Sequence, residues 1–313
     1  MLNVSGRCKM SRYRITVCTP TYNRAYIIEN LYRSLQMQTF RDFEWLLIDD
    51  GSADHTKELF DTWCRTESRF TIRYVRKENG GKHTAVNEGL RIAKGEIFFV
   101  VDSDDVLTAD ALEKIDHWFR EIEGQPAIKG VTANKGTTAQ HTPNTYFSER
   151  YLDKTLLEME SYTENGKCVI SGERAMAFYT DFHRAYYYPV FTGERFMTEA
   201  VAYNRMAHDG YQMRFYNDII CVYEYKEDGL TRAGNELFLK NPRGYSLWLR
   251  EKSDFLGGGF PGRLRVCYSL VCELSGRYSP AEIAACVGIP RSLTALLLLL
   301  HRLKRLGTAK NSH

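Results

Sequence analysis

Between Tyr13 and Glu123 one pattern recurs four times: a run of apolar and β-branched residues, a polar knot, then apolar residues at helical spacing. "YRITVCT" leads to "RAYIIENLYRSLQMQ", where Ile27, Ile28, Leu31 and Leu35 fall on one helical face. "FEWLLIDD" leads to "HTKELFDTWCRT", and "FTIRYVR" to "KHTAVNEGLRIAK". "GEIFFVVD" leads to "TADALEKIDHWFREIE", with Thr108 the expected N-cap of that helix. A strand with apolar side chains on both sides must be covered on both faces. Strands alternating with amphipathic helices meet this demand by forming a largely parallel sheet between two helical layers. The pattern therefore restricts the chain to the α/β class.

From about Gln125 the rhythm stops. "QPAIKGVTANKGTTAQHTPNTYFSER" predicts a strand followed by a long surface loop. "CVISGERAMAFY" and "YQMRFYNDIICVYEY" read as further strands, with "GERFMTEAVAYNRMAHDG" between them as a helix ending at Gly210. Beyond that the chain reads as helical, and "YSPAEIAACVG" carries a capping box, with Ser279 as cap, Pro280 next and Glu282 closing it. The expected divisions are 10–125, 126–232 and a helical extension, 233–313.

The 313 residues suffice for one large domain with an appendage, or for two domains. A net charge of +3 is too small to imply a nucleic-acid partner. The eight cysteines form no CxxC pair and several sit inside apolar runs, which suggests reduced thiols in a cytosolic protein. "MLNVSGRCKMSRYRITVCTP" lacks the apolar core of a signal peptide. "LTALLLLL" is too short for the about 18 residues of a membrane span. With Arg302, Lys304 and Arg305 it could lie on an anionic membrane surface through 293–306, or pack on the protein or a second subunit. The end of the chain superficially resembles a helix-turn-helix, but its second helix is mostly leucine and offers few residues to read bases.

Ligands of open parallel sheets bind beyond the carboxyl ends of the strands. Three polar clusters fall there: "TPTYNR" after the first strand, "DDGSADHT" after the second and "DSDD" after the fourth. Asp102 and Asp104, flanking Ser103, are oxygen donors of the kind that hold Mg²⁺ or Mn²⁺ against a phosphate, whereas Asp105 suits a turn-capping role. Lys82 and His83 open a helix after a glycine pair, where the helix N-terminus favours anions. The sequence contains neither GxGxxG nor a Walker A motif, so neither a dinucleotide cofactor nor a P-loop nucleotide is indicated.

In their order, "VCTPTYNR … LQMQTFRDFEWLLIDDGSADHT … ENGGKHTAVNEGLRIAKGEIFFVVDSDDVL" resembles the family 2 glycosyltransferases of the GT-A fold, closely from Arg14 to Glu123 and more loosely to Gly229. The resemblance implies a GT-A type nucleotide-diphospho-sugar transferase fold, with a mostly parallel central sheet flanked by helices. It also implies a nucleotide-sugar donor, usually a UDP-sugar, and a divalent metal, Mn²⁺ or Mg²⁺. Pro20 and Tyr22 would line the base pocket and Asp50 would bond the base. Asp102 would serve ribose and metal, Asp104 the metal, and Ser103 completes the donor set. Val86 stands where many members carry Arg, leaving Lys82 and His83 to supply the cationic role.

Inverting members take their general base from the second half, six residues before an Arg and eleven before a Gly. Counting back from Arg205 and Gly210 lands on Glu199, on the helix face expected toward the cleft, with Thr198 in place of the usual Glu. Glu194 is the second candidate. "RAYYYPVF" offers aromatic faces to an acceptor sugar or fills a core. The expected activity is metal-dependent inverting transfer to a hydroxyl of a glycan or polyprenyl-linked acceptor, in surface polysaccharide synthesis. The expected location is cytoplasmic, at the inner membrane face, with a homo-oligomer left open. The alternative is a non-catalytic nucleotide-sugar-binding or scaffold protein of the same fold.

Overall fold

The computed structural model describes residues 12–159, 163–164, 167–168, 170, 172–224 and 234–310. The chain divides into two compact units, Met1–Tyr187 with Asp209–Glu224, and Tyr188–His208 with Tyr225–His313.

The first unit opens with the expected alternation: β1 (Tyr13–Thr21), α1 (Ile28–Gln36), β2 (Phe43–Asp49), α2 (Thr56–Thr66), β3 (Thr71–Arg76), α3 (Lys82–Ile92), β4 (Gly95–Val100), β5 (Val106–Leu107) and α4 (Ala111–Glu121). Every residue of β2 is buried, as a strand covered on both faces must be. There follow β6 (Ile128–Gly136), β7 (Tyr151–Lys154), the short pair β8 (Thr163–Glu164) and β9 (Lys167–Cys168), β10 (Arg174–Tyr179) and α5 (Thr180–His183); β11 (Gln212–Val222) returns later in the chain.

The main sheet runs β3-β2-β1-β4-β10-β6-β11-β5, with β7 beside β11. Strands β1 to β4 are parallel, so their carboxyl ends share one rim. β10 enters antiparallel between β4 and β6. Its first residue, Arg174, therefore lies at the carboxyl end of β4. Trp45, Phe60, Trp63 and Tyr32 stack in the core, and the Trp45 indole donates to Thr19 Oγ1 at 3.0 Å.

The second unit holds α6 (Ala200–His208), α7 (Gly234–Leu239), α8 (Pro242–Phe255), α9 (Gly259–Leu274), α10 (Pro280–Val287) and α11 (Arg291–Lys310). Leu270, Val271, Leu274, Ile283, Val287 and Leu297 form its apolar centre. The capping box of α10 is present, with Ser279 and Glu282 bonded reciprocally. α11 leaves Leu296, Leu299, Leu300 and Leu303 exposed on one stripe. The side chains of residues 305 and 306 lie outside those described, so the expected part of Arg305 does too. Among the described residues no single helix is long and apolar enough to cross a membrane. The seven described cysteines are all unbridged.

Two local expectations need correction. α4 is capped at Asp110, not Thr108, whose hydroxyl instead donates to Asp110 Oδ1 at 2.8 Å. The helix expected from Gly193 begins only at Ala200, so Glu194 precedes α6 and Glu199 stands at its N-terminal edge. Competing tertiary hydrogen bonds explain the delay: Asn241 Oδ1 accepts from the backbone N–H of both Arg195 and Phe196, and Glu194 is bonded elsewhere.

Candidate active site

Three loops at the rim are built as one piece. Asn23 holds a positive φ of 53°, a conformation Asn tolerates better than most residues. The turn directs its N–H to Ser52 Oγ at 2.9 Å and its side-chain oxygen to Ala53 N at 2.8 Å. Asp54 accepts from Ala25 N with one oxygen and caps Thr56 with the other. The loops after β1 and β2 are thus cross-bonded, and Pro20 is buried in the last part of β1. Tyr22, 48% exposed, stands at the surface of the rim.

Asp50, expected to meet a base, is buried and holds the third loop. Its carboxylate accepts from Gly80 N at 3.0 Å, Gly81 N at 2.7 Å and Lys77 Nζ at 2.7 Å. Lys77 also donates to Thr84 Oγ1 at 2.8 Å. Gly81 occupies φ 93° as the N-cap of α3, a conformation that favours glycine. The loop therefore delivers Lys82, the first residue of α3, to the rim. Lys82 Nζ lies 2.7 Å from Asp102 Oδ1. His83, by contrast, lies on the buried side of α3 with Val86.

The acidic turn follows β4. Asp102 is one-third exposed, while Ser103 and Asp105 are buried. Lys135, on β6, places Nζ 2.6 Å from Asp105 Oδ2 and 3.8 Å from Asp102 Oδ2. Burial works to raise the Asp102 pKa, but the ammonium groups of Lys82 and Lys135 outweigh it and bring it down to about 2. Burial raises the pKa of Asp105, against the pull of Lys135. Asp104 is half-buried and has neither hydrogen bond nor ion pair among the described residues.

Lys135 is the functional candidate that the sequence reading missed. It sits inside "TANKG", a polar stretch that gives no sign of facing the acidic turn. Only the placement of β6 two strands from β4 brings it there.

Among the described residues no three His, Cys, Asp or Glu side chains are arranged so that they could hold a metal ion by themselves. A divalent ion would find two hard oxygen donors, partly exposed Asp102, now paired with Lys82, and Asp104, and would need further oxygens from a diphosphate or water. That set suits Mg²⁺ or Mn²⁺, which keep waters and share substrate phosphates. The residues fit such an ion.

The two carboxylates expected to act as base lie in the second unit. Glu194 accepts from Arg243 N at 2.7 Å and Gly244 N at 2.9 Å, so both of its oxygens serve the first turn of α8. Glu199 is half-buried, and its carbonyl accepts from Tyr203 N at 3.3 Å. Arg205 is held in a fork by Glu251, at 2.9 and 2.7 Å.

The acidic turn after β4 and the N-terminus of α3 thus lie on one rim of the sheet. The glycosyl transferase family 2 sequence model matches residues 16–181, more than half of the chain, and the chain belongs to that family. Glycosyltransferase GlyG of Streptococcus pneumoniae is 32% identical over 115 residues, 36% of this chain and 38% of that one. The putative teichuronic acid biosynthesis glycosyltransferase TuaG of Bacillus subtilis is 33% identical over 148 residues, 46% of this chain and 58% of that one. The GalNAc(5)-diNAcBac-PP-undecaprenol beta-1,3-glucosyltransferase of Campylobacter jejuni is 34% identical over 104 residues, 33% of each. The chain thus spans less than two thirds of these relatives. Among solved structures, S. aureus TarS 1-349 in complex with UDP-GlcNAc has a TM-score of 0.55 at 19% identity, covering 93% of this chain and 88% of that one. The mannosyltransferase PcManGT of Pyrobaculum calidifontis with GDP-Man and Mn²⁺ has a TM-score of 0.53 at 20% identity, covering 94% and 87%. These likenesses show the shared fold.

Proposed function

We propose that the protein transfers a sugar from a nucleotide diphosphate, a UDP-sugar by preference, to a hydroxyl of a glycan or lipid-linked acceptor, with inversion. One observation carries the reading: at the rim of the sheet Asp104 is left without a partner beside a partly exposed Asp102 and a lysine at a helix N-terminus. Ion-paired surface turns have no need of such an arrangement, whereas a diphosphate with its divalent ion uses every part of it.

Each residue then has a task. Tyr22 and Pro20 face the base, and Asp50 shapes that pocket by fixing the glycine loop. Lys82 meets the diphosphate, while His83 stays on the inner side of the helix and braces it. Asp102 and Asp104, with Ser103 between them, hold Mn²⁺ or Mg²⁺. When bound, that ion offsets the charge that grows on the departing nucleotide. Glu199 takes the acceptor proton as the hydroxyl attacks the anomeric carbon. It is preferred to Glu194 by its spacing to Arg205 and Gly210, and Glu194, with both oxygens bonded to backbone N–H groups, is a poor base in its own right. The names of TuaG and of the Campylobacter relative support surface polysaccharide synthesis as the setting. The exposed leucine stripe of α11, followed by exposed Arg302 and Lys304, supports contact with the inner membrane face.

A screen of nucleotide sugars with Mn²⁺, read as released nucleotide, tests the reading. Glu199→Gln should lower turnover about 10³-fold with donor binding unchanged. Unchanged turnover would remove Glu199 as base. Wild-type protein that binds UDP with Mn²⁺ but turns over no donor with any glycan or lipid acceptor would favour the non-catalytic alternative.

A further inference from the structure

Asp102 stands between two lysines of unequal standing. Lys135 is rooted in β6, its side chain is 13% exposed, and its main partner is the buried Asp105. A buried ammonium paired with a buried carboxylate has nowhere cheaper to go, because parting them strands both charges. Lys82 differs. It sits on the first turn of α3, is more exposed, and spans the gap between the rim and Asp102 with a long flexible stem.

The charges around the turn matter as well. Asp102, Asp104 and Asp105 against Lys82, Lys135 and the nearby Arg24 leave the cluster close to neutral. A divalent ion arriving alone would make the cluster net positive while displacing Lys82 from Asp102 Oδ1. A divalent ion arriving with a diphosphate brings excess negative charge and a new partner for the ammonium at the N-terminus of α3.

We propose that Lys82 is an interlock on the metal site: it occupies Asp102 until a nucleotide diphosphate draws it away, so that the divalent ion enters with the nucleotide and not before it. This rests on reading the rim as the donor site. Lys82 then has opposite effects on the two ligands, weakening bare metal binding and strengthening nucleotide binding. A lysine that merely bound phosphate would show only the second effect.

The test measures Mn²⁺ affinity of the full chain by electron paramagnetic resonance of free Mn²⁺, without nucleotide. Lys82→Gln should bind Mn²⁺ about tenfold tighter than wild type, as expected for removing one charge beside the ligand. Lys82→Arg, which keeps the charge, should stay near wild type. The gain should vanish in Lys82→Gln with Asp104→Asn. With Mn²⁺ saturating, Lys82→Gln should bind UDP about tenfold more weakly than wild type. Bare Mn²⁺ affinity equal to or below wild type in a Lys82→Gln protein of unchanged melting temperature would overturn the interlock, and Lys82→Met repeats the measurement if Gln alters folding. Failure of the donor-site reading has another signature, a wild-type chain that binds no nucleotide diphosphate in the presence of Mn²⁺.

Discussion

Glu44 and Asp104 are carboxylates of one sheet, Glu44 at the amino end of β2 and Asp104 just past the carboxyl end of β4. Glu44 is fully buried and fully used. It accepts from Thr16 Oγ1 at 2.7 Å, Lys94 N at 2.7 Å and Arg73 Nη1 at 2.8 Å. Asp104 is more open and has no such partner among the described residues. Burying a charge is tolerable only when hydrogen bonds and counter-charge replace water. The amino end meets that condition with the chain's own groups, which is what a structural site does. The carboxyl end leaves acceptor capacity unspent, which is what a binding site does.

The largest effect expected from this contrast is on activity. Asp104→Asn should reduce sugar transfer about 10³-fold, on the scale of losing a group that acts on developing charge. Its melting temperature should stay within about 2 °C of wild type, since no hydrogen bond or ion pair among the described residues is lost. Parallel calorimetry and nucleotide-release assays check both halves. A marked fall in stability would mean that Asp104 is structural after all, and the two ends of the sheet would be alike.

Glu44→Ala should show the reverse pattern, next in size. It removes the carboxylate partner of Arg73, which keeps Ile92 O, and the acceptor for Thr16 Oγ1 and Lys94 N, a loss of about 2–4 kcal/mol. Urea unfolding would show a lowered midpoint at an unchanged slope. Near-wild-type turnover per folded molecule is expected, measured well below the unfolding midpoint. Loss of turnover without loss of stability would break the division between a structural end and a functional one.

The same contrast explains what the sequence disclosed. The four strand–helix units and the rim they share are local patterns of apolar spacing, and "DSDD" announced its position at a strand end. The family match rests on that same half of the chain. Lys135 was not legible, because its role depends on β10 and β6 inserting beside β4, and strand order is a non-local property. The late start of α6 was hidden for a related reason. Residues 194–196 are bonded instead to Asn241 and the N-terminus of α8, some 45 to 50 positions along the chain, partners that no local pattern announces. Asp50 was expected beside the base through the family resemblance alone, and no local pattern announced that its oxygens also hold the glycine loop that presents Lys82.

Arg174 gives the smallest and most discriminating prediction. It opens β10 at the same end of the sheet as the acidic turn, is 8% exposed, and its three guanidinium nitrogens have no hydrogen-bond partner among the described residues. Its contact is the ring of Phe215, 5.6 Å away. Burial lowers its pKa to about 10, and only the Cys168 thiol opposes the shift. A basic group whose folded pKa lies below its unfolded value destabilises the fold wherever it is charged in both states, that is, below about pH 10. Arg174→Met keeps the stem and removes the charge, so it should stabilise the protein by about 1–2 kcal/mol at pH 7, a rise of a few degrees in melting temperature. The gain should shrink as the pH rises above about 10, where the wild-type side chain becomes free to lose its proton on folding. A melting temperature that falls at pH 7 would show that Arg174 is compensated in the folded chain, as Glu44 is, and would move it to the structural side of the comparison.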